Sequence, residues 1–514
     1  MYSIVSTAII CGIHSVPIAV EADVSDGMPM FEMVGFLSSE VKEAKERVRT
    51  ALRNLGYVLP PKRITVNITP ADIRKSGSGF DLPIAVAVLA ALGQVPGNAV
   101  EEVFVIGEVG LSGKVQAVHG VLPMVAEAKE RGMRKFIVPL QNRKEAELVT
   151  DVQVYGVADV KEAVHILRGE AWQSKQVSGE MPYNIEATDK KRKILDFSDI
   201  NGQHLVKRAC EVAVSGMHNL LMIGPPGAGK TMMAMRIPSI LPPLTEDEQM
   251  ELSKIYSVSG LFSEREGLMQ ERPFRAPHHT ITMQGLTGGG GIPKPGEISL
   301  AHKGVLFLDE LPEFQNSTLE ILRQPLEEKC VRLVRIHGSY EYPAEFMLVA
   351  AMNPCRCGYY PDVQKCRCST TAIERYLGRI SQPLLDRIDI CVEAPQIAFH
   401  ELKGGGEEET SETIRKRVMR THQIQQERYK GEGFSYNNQI PGVRIREYCR
   451  LDQEQEKYME QMYNRLNLTA RSYHKILKVA RTLADMEQEE NIQMVHLNEA
   501  ICYRSLDKKF WERN

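Results

Sequence analysis

The sequence predicts a multidomain α/β protein: a mixed α/β N-terminal unit, a P-loop α/β core and a C-terminal helical block. Three observations predict it. Residues 1 to 168 alternate short β-branched runs with helical patterns. A buried-strand run, Leu220-Leu-Met-Ile223, leads straight into Gly-Pro-Pro-Gly-Ala-Gly-Lys-Thr. From Thr410 onward the pattern is helical, with few strand signals.

In the N-terminal unit, Phe104–Ile106 and Phe136–Pro139 read as strands, and Ser39–Leu55, Asp81–Leu92 and Leu122–Arg131 as helices. The unit is expected to span 1–168. A polar stretch, 169–196, ends near the basic run Lys190–Lys193 and reads as an exposed linker. The second α/β block is expected over 197–395. Gly404–Gly406 followed by Glu407–Glu409 marks the next break, so the helical block is expected over 396–514.

Bulk properties narrow the class. The 514 residues are 43% hydrophobic and 25% charged, an ordinary soluble composition, with a net charge of -3. No global basic signature exists, so any nucleic-acid surface must be local. The longest apolar run, Leu82 to Leu92, covers about half a membrane span. The N-terminus has no basic leader region and reads as a strand. A cytoplasmic protein with reduced thiols is expected. Its ten cysteines are then no disulfide framework. Cys11, Cys210, Cys330, Cys391, Cys449 and Cys502 are expected to be small buried hydrophobes.

The chemistry starts at the P-loop. Gly224, Pro225, Pro226, Gly227, Ala228, Gly229, Lys230, Thr231 and Met232 form the expected ATP cradle. The glycines let backbone N–H groups approach phosphates. Lys230 is expected on the β- and γ-phosphates and Thr231 on Mg²⁺. Val305–Leu308 is a second buried strand, ending in Asp309-Glu310. Asp309 is expected to hold the Mg²⁺ shell, and Glu310 to act as general base toward water. A third such strand, Phe346–Met352, ends in Asn353, expected to sense the γ-phosphate or the lytic water.

RAPHHT (275–280), GEISLAHKGVLFLDELPEF (296–314), LVAAMNPC (348–355) and PLLDRID (383–389) resemble the magnesium-chelatase-like AAA+ ATPases, specifically the ComM/YifB family. The resemblance covers nearly the whole chain. It implies an AAA+ core with a helical lid and assembly into a ring, usually a hexamer. It implies Arg387 as an arginine finger reaching a neighbour's nucleotide, with Arg379 as fallback, and Arg471 as the sensor 2 arginine approaching the γ-phosphate. It also implies two insertions facing the ring pore. One spans Pro273 to Ile298 with Phe274, Arg275, His278, His279 and Lys294; the other is the hairpin 331–346 with Arg332, Arg335 and His337. These last three are expected to share one face and, with Lys294, to meet a DNA backbone.

Residues 107–139 resemble the Lon protease domain. Lon-type proteolysis uses a Ser nucleophile and a Lys. Aligning the helices puts Gly79 and Leu122 at those positions, with Ser76 and Ser78 nearby, so a non-proteolytic Lon-like scaffold is expected. Between Asn353 and the arginine-finger segment lie Cys355, Cys357, Cys366 and Cys368 in two C-x-C pairs. A structural Zn²⁺ clip on a surface loop is expected, with an Fe–S cluster or four free thiols as alternatives. The functional expectation is a DNA-translocating ATPase of helicase or branch-migration type in recombination and natural transformation. The alternative is a chelatase-type or chaperone-like remodeller of a protein partner.

Overall fold

The computed structural model describes residues 1–170, 195–262, 267–291, 293–336, 338–396 and 408–511. Most of the expected linker, the 404–407 part of the glycine–glutamate break and His337 therefore lie outside the described residues.

The first unit is built on a seven-stranded mixed sheet. In spatial order its strands are Met30–Val34, Arg63–Thr69, His14–Ser25, Tyr2–Cys11, Val103–Val105, Lys135–Pro139 and Gln153–Val157. Helices Ser39–Asn54, Asp81–Ala91 and Val121–Glu130 begin and end within a residue of their sequence expectation. Asp81–Ala91 is buried along its whole length. That explains an apolar run too short for a membrane: it is the central helix of a domain core. Its first residue, Asp81, is fully buried and held by both arms of Arg47, at 2.8 Å each. Among the described residues no helix is long and apolar enough to cross a membrane.

The core is a parallel sheet ordered Phe274–Arg275, Val305–Leu308, Met347–Met352, Leu220–Ile223, Ile390–Glu393. An all-parallel sheet must be covered on both faces, and the strands alternate accordingly. Leu220, Met222, Phe307, Val349 and Val392 enter one apolar cluster, together with Ile476, Val479 and Leu483 of the C-terminal helix Ala470–Met486. Leu221, Ile223, Leu306, Leu308 and Ala350 enter the other, with Phe314, Leu319 and Tyr376. One expectation is corrected here. Phe274 and Arg275 are not part of a pore insertion but form the edge strand of this sheet, paired with Val305 and Leu306. The C-terminal block is helical as expected, with Ser411–Arg428, Gln453–Arg465, Ala470–Met486 and Met494–Phe510.

The six scattered cysteines split. Cys210, Cys330, Cys391 and Cys449 are buried, but Cys11 is partly exposed and Cys502 exposed, so the core reading fails for those two. Cys11 sits at a hairpin turn, its thiol 4.0 Å from the Ser339 carbonyl, and Cys502 lies exposed on the last helix.

Among the contacts that join the first unit to the core, two are specific in kind. Glu145, buried, accepts from the Leu122 N–H at 3.0 Å, from Asn142 at 2.9 Å and from Ser257 Oγ of the core at 2.5 Å. Burial raises its carboxyl pKa, and these donors oppose the rise. The turn of the first hairpin is the second contact. Ile13 is buried in the core's own cluster with Leu333 and Tyr342. Gly12 has φ of 69°, and a Cβ there would stand 2.5 Å from the Glu341 carbonyl oxygen. Only glycine fits that left-handed turn against backbone. Gly12→Ala is expected to cost about 1–2 kcal/mol from the left-handed strain alone, and to speed amide exchange in 338–343. Unchanged exchange there would show that the turn does not support that segment.

Candidate functional site

Three neighbouring core strands end at one edge of the sheet, with Ile223 opposite Met352 and Leu308 opposite Ala350. The residues just beyond those ends are Gly224–Thr231, Asp309-Glu310 and Asn353. Parallel strands about 4.8 Å apart bring them together without help from sequence proximity. Gly224 leaves its strand against Ala394, whose carbonyl oxygen a Cβ would meet at 2.2 Å. Gly227 and Gly229 both adopt positive φ, 78° and 81°.

Lys230 Nζ donates to the carbonyls of Gly224 at 2.7 Å and Pro225 at 2.9 Å, and to Asn353 Oδ1 at 3.1 Å. Burial pushes its ammonium down to about 8, opposed by Asp309. Thr231 Oγ1 donates to Asp309 Oδ2 at 2.6 Å. A hydroxyl and a carboxylate converging there are the hard oxygen donors Mg²⁺ takes beside a phosphate. Ala228 is buried, while Met232 is half exposed and packs little. All three expected polar ends, Lys230, Asp309 and Asn353, are thus in one site.

Glu310 follows with φ of 51°, a left-handed conformation unusual for a side chain of its size. In that turn the Asp309 Oδ1 accepts from the Glu310 N–H at 2.9 Å. His279 Nδ1 lies 3.3 Å from Glu310 Oε2, and the His279 ring stands 4.0 Å from that of His278. His279 therefore stands beside Glu310 at the candidate site, a placement the sequence reading missed. Its signal would have been the strand Phe274–Arg275 beside Val305–Leu308, a two-residue strand too short for periodicity to mark.

Arg387 and Arg471 meet on one carboxylate. Glu327 Oε1 lies 2.6 Å from Arg387 Nη2 and 3.2 Å from Arg471 Nη2. Arg387 also donates to the Arg323 carbonyl at 3.2 Å and to the Pro383 carbonyl, and among the described residues neither arginine pairs with Asp309. The fallback, Arg379, pairs instead with Glu313 at 3.1 Å. One turn beyond Arg471, Lys475 donates to Asp389 at 2.9 Å and to the Ile388 carbonyl at 3.0 Å. Asp389 also accepts from the Asn219 N–H at 2.9 Å. Burial alone would raise the Asp389 carboxyl; Lys475 and His218 outweigh it and hold it far below the carboxylate range. This buried pair ties the helix of Arg471 to the segment of Arg387.

Two hairpins lie side by side. Gly288–Gly289 pairs with Lys294–Pro295, and Cys330–Arg335 with Gly338–Pro343. Tyr342 OH donates to the Pro293 carbonyl at 2.6 Å, and a Cβ on Gly289 would stand 3.5 Å from Arg335 Nη2. The expected common face of Arg332 and Arg335 is corrected. Three residues apart on a strand, they point to opposite sides. Arg332 shares its side with the exposed Val334 and binds Glu341 at 2.8 Å and Glu328 at 3.1 Å. Arg335 and Lys294 make no ion pair among the described residues.

The four clustered cysteines converge. Cys355 Sγ is 3.3 Å from Cys357 and 3.7 Å from Cys366, Cys357 is 3.5 Å from Cys366, and all four sulphurs lie within 4.8 Å of one another. Four thiolates about 2.3 Å from one tetrahedral ion stand about 3.8 Å apart. That spacing fits a single ion, whereas an Fe–S cluster spreads its ligands over several irons. Cys355 is fully buried and the others are partly so, which makes this more than a loop on the surface. In the Lon-like unit, a Cβ on Gly79 would face Ile106 at 3.5 Å and Val118 at 3.8 Å, and Leu122 is buried. The two dyad positions are apolar.

With chain-order strands arranged 2-3-4-1-5, a P-loop after the first and an acidic pair after the third, the core is a P-loop ATPase of the AAA+ class. Family models described as magnesium chelatase, subunit ChlI, match residues 196–402; as subunit ChlI of Mg-chelatase, 20–142; and as subunit ChlI C-terminal, 408–504. The chain is 41% identical over 498 residues to the competence protein ComM of Haemophilus influenzae, covering 96% of each. It is 41% identical over 510 residues to the uncharacterized protein YifB of Escherichia coli, covering 98% of this chain and 97% of YifB. A shorter stretch, 106 residues or 21% of the chain, is 30% identical to Lon protease 2 of Bacillus subtilis, 19% of whose length it covers. The chain belongs to the magnesium-chelatase-like ComM/YifB family.

Lys230→Ala removes a charge-assisted phosphate contact and is expected to weaken ATP binding by about 10- to 100-fold, read by titration with a fluorescent nucleotide. Glu310→Gln is expected to lower kcat by about 10²- to 10⁴-fold while nucleotide affinity stays. Lys475→Ala leaves Asp389 without its cation and is expected to destabilise the core by about 3–5 kcal/mol; a urea midpoint equal to the parent's would show the pair to be dispensable.

Proposed function

We propose that the chain is the subunit of an ATP-driven hexameric ring motor that translocates on DNA and drives branch migration. The setting is recombination and natural transformation, on single-stranded or branched DNA and alongside recombination proteins, in the cytoplasm. The observation carrying this reading is the pair of adjacent hairpins, which present Arg335 and Lys294, without an ion pair among the described residues, beside an ATPase core. The name of the Haemophilus influenzae relative, a competence protein, supports the DNA setting. The expected division into 1–168, a 169–196 linker, 197–395 and 396–514 belongs to the same reading.

In this reading Lys230 holds the β- and γ-phosphates of ATP, displacing its ammonium from the Gly224 and Pro225 carbonyls. Thr231 and Asp309 hold Mg²⁺, which neutralises phosphate charge when bound. Asn353 orients the attacking water, and Glu310 accepts its proton. Arg387 reaches the nucleotide of the neighbouring subunit. Arg471, held on the same Glu327, is carried to the same place, so both arginines stabilise charge developing there. The four cysteines hold a structural Zn²⁺. The Lon-like unit, without nucleophile or lysine at Gly79 and Leu122, works as a scaffold and not as a protease.

One observation favours a second reading. Val334 and Ile336 at the hairpin tip are 72% and 96% exposed. Exposed aliphatics suit the gripping of a polypeptide, as in a chaperone-like or chelatase-type remodeller. DNA stimulation separates the two. Steady-state ATPase is expected to rise with single-stranded or branched DNA and to lose that rise with salt. Arg335→Ala and Lys294→Ala are each expected to reduce the salt slope by about one. Arg332→Ala, whose charge is already matched by Glu341 and Glu328, should change it little. ATPase indifferent to DNA at low salt would favour the remodeller.

A further inference from the structure

The cysteine cluster and the P-loop touch through one short segment. Leaving the strand Met347–Met352, the chain passes Asn353, Cys355 and Cys357 and reaches Gly358. Asn353 accepts from Lys230 Nζ at 3.1 Å. Five residues later Gly358, with φ of 85°, lies against the P-loop from the other side: a Cβ there would stand 2.3 Å from Pro226 Cδ and 2.8 Å from Pro226 Cγ. The Gly358 N–H closes a turn onto the Cys355 carbonyl at 3.0 Å. The turn that supplies two of the four sulphurs is therefore the one packed on Pro226. The remaining sulphurs, Cys366 and Cys368, come from beyond a second turn in which the Cys366 N–H bonds the Asp362 carbonyl at 2.7 Å.

We infer that the four-cysteine site is a metal-loaded brace of the nucleotide pocket, whose occupancy by Zn²⁺ sets ATP affinity through Gly358 against Pro226 and Asn353 against Lys230. This rests on the zinc reading given above and extends it from a clip for a loop to a control on the P-loop. The physical reason is rigidity. A tetrahedral thiolate ion fixes where Cys355 and Cys357 stand relative to Cys366 and Cys368. With the ion absent, the 355–358 turn keeps its thiol contacts and the Gly358-to-Cys355 backbone bond but loses the fixed tie to Cys366 and Cys368. The surface it offers to Pro226 then loses its fixed position, and the P-loop backbone that must wrap phosphate loses a wall. Binding free energies are reciprocal, so nucleotide must in turn tighten the metal by the same factor.

The test uses the full-length protein. Zinc content is measured first, by metal analysis and by release with a thiol-blocking reagent in the presence of a zinc dye. The zinc is then removed with a pyridyl chelator that leaves Mg²⁺ in solution. ATP affinity is read before and after with a fluorescent nucleotide. Removal is expected to weaken ATP binding at least about fivefold, and ATP is expected to raise by the same factor the chelator concentration needed to strip zinc. Gly358→Ala provides the second variant. It keeps all four sulphurs, should retain one zinc per chain, and should weaken ATP binding by pressing a Cβ onto Pro226. Protein that binds no zinc on purification or titration overturns the metal reading itself. Zinc bound in stoichiometric amount, with ATP affinity unchanged by its removal, overturns the coupling and leaves the clip.

Discussion

Everything at the nucleotide site depends on parallel strands ending at one level. The backbone register that sets Ile223 opposite Met352 and Leu308 opposite Ala350 also sets the P-loop, Asp309-Glu310 and Asn353 within reach of one another. The register is held by burial on both faces, where a slip of one residue would turn every apolar side chain to the wrong cluster. The three strands that carry these ends, Leu220–Ile223, Val305–Leu308 and Met347–Met352, are wholly apolar for that reason. The hydrogen bonds from Lys230 to Asn353 and from Thr231 to Asp309 are the direct result.

Around that edge the structure adds two fixed attachments. The buried pair of Lys475 and Asp389 fastens the helical lid to the segment that follows Arg387, and in doing so it brings Arg387 and Arg471 onto Glu327. The turn at Gly12 and Ile13 fastens the Lon-like unit to the arm of the long hairpin at Glu341. The two attachments differ in kind. The first is an ion pair whose desolvation is offset by a second hydrogen bond from each partner. The second is steric and apolar, and needs a residue without a side chain. Together they link lid, core, hairpin and N-terminal unit.

Much of this was legible in the chain. The P-loop, the acidic pair and the Asn at the end of a third buried strand stand out because each follows a run of apolar residues with strand composition. The helices Ser39–Asn54, Asp81–Ala91 and Val121–Glu130 were legible from their apolar spacing and lengths. What was misread has a common origin. Phe274–Arg275 became part of an insertion because two residues carry no period. Arg332 and Arg335 were put on one face although an odd spacing on a strand separates them. Cys11 and Cys502 were put in the core by residue type, which does not register what lies opposite.

The sequence by itself determined which residues are candidates for the chemistry of this protein, because the P-loop, the Asp309-Glu310 pair and the four paired cysteines are each made by neighbours in the chain. Only the tertiary structure decided which of them act on one another. His279 beside Glu310, two arginines on Glu327, Arg335 over Gly289 and Gly358 against Pro226 join residues far apart in sequence, or on strands too short to show a period. Such meetings are set by how sheet, hairpins and lid pack, a property no local pattern contains.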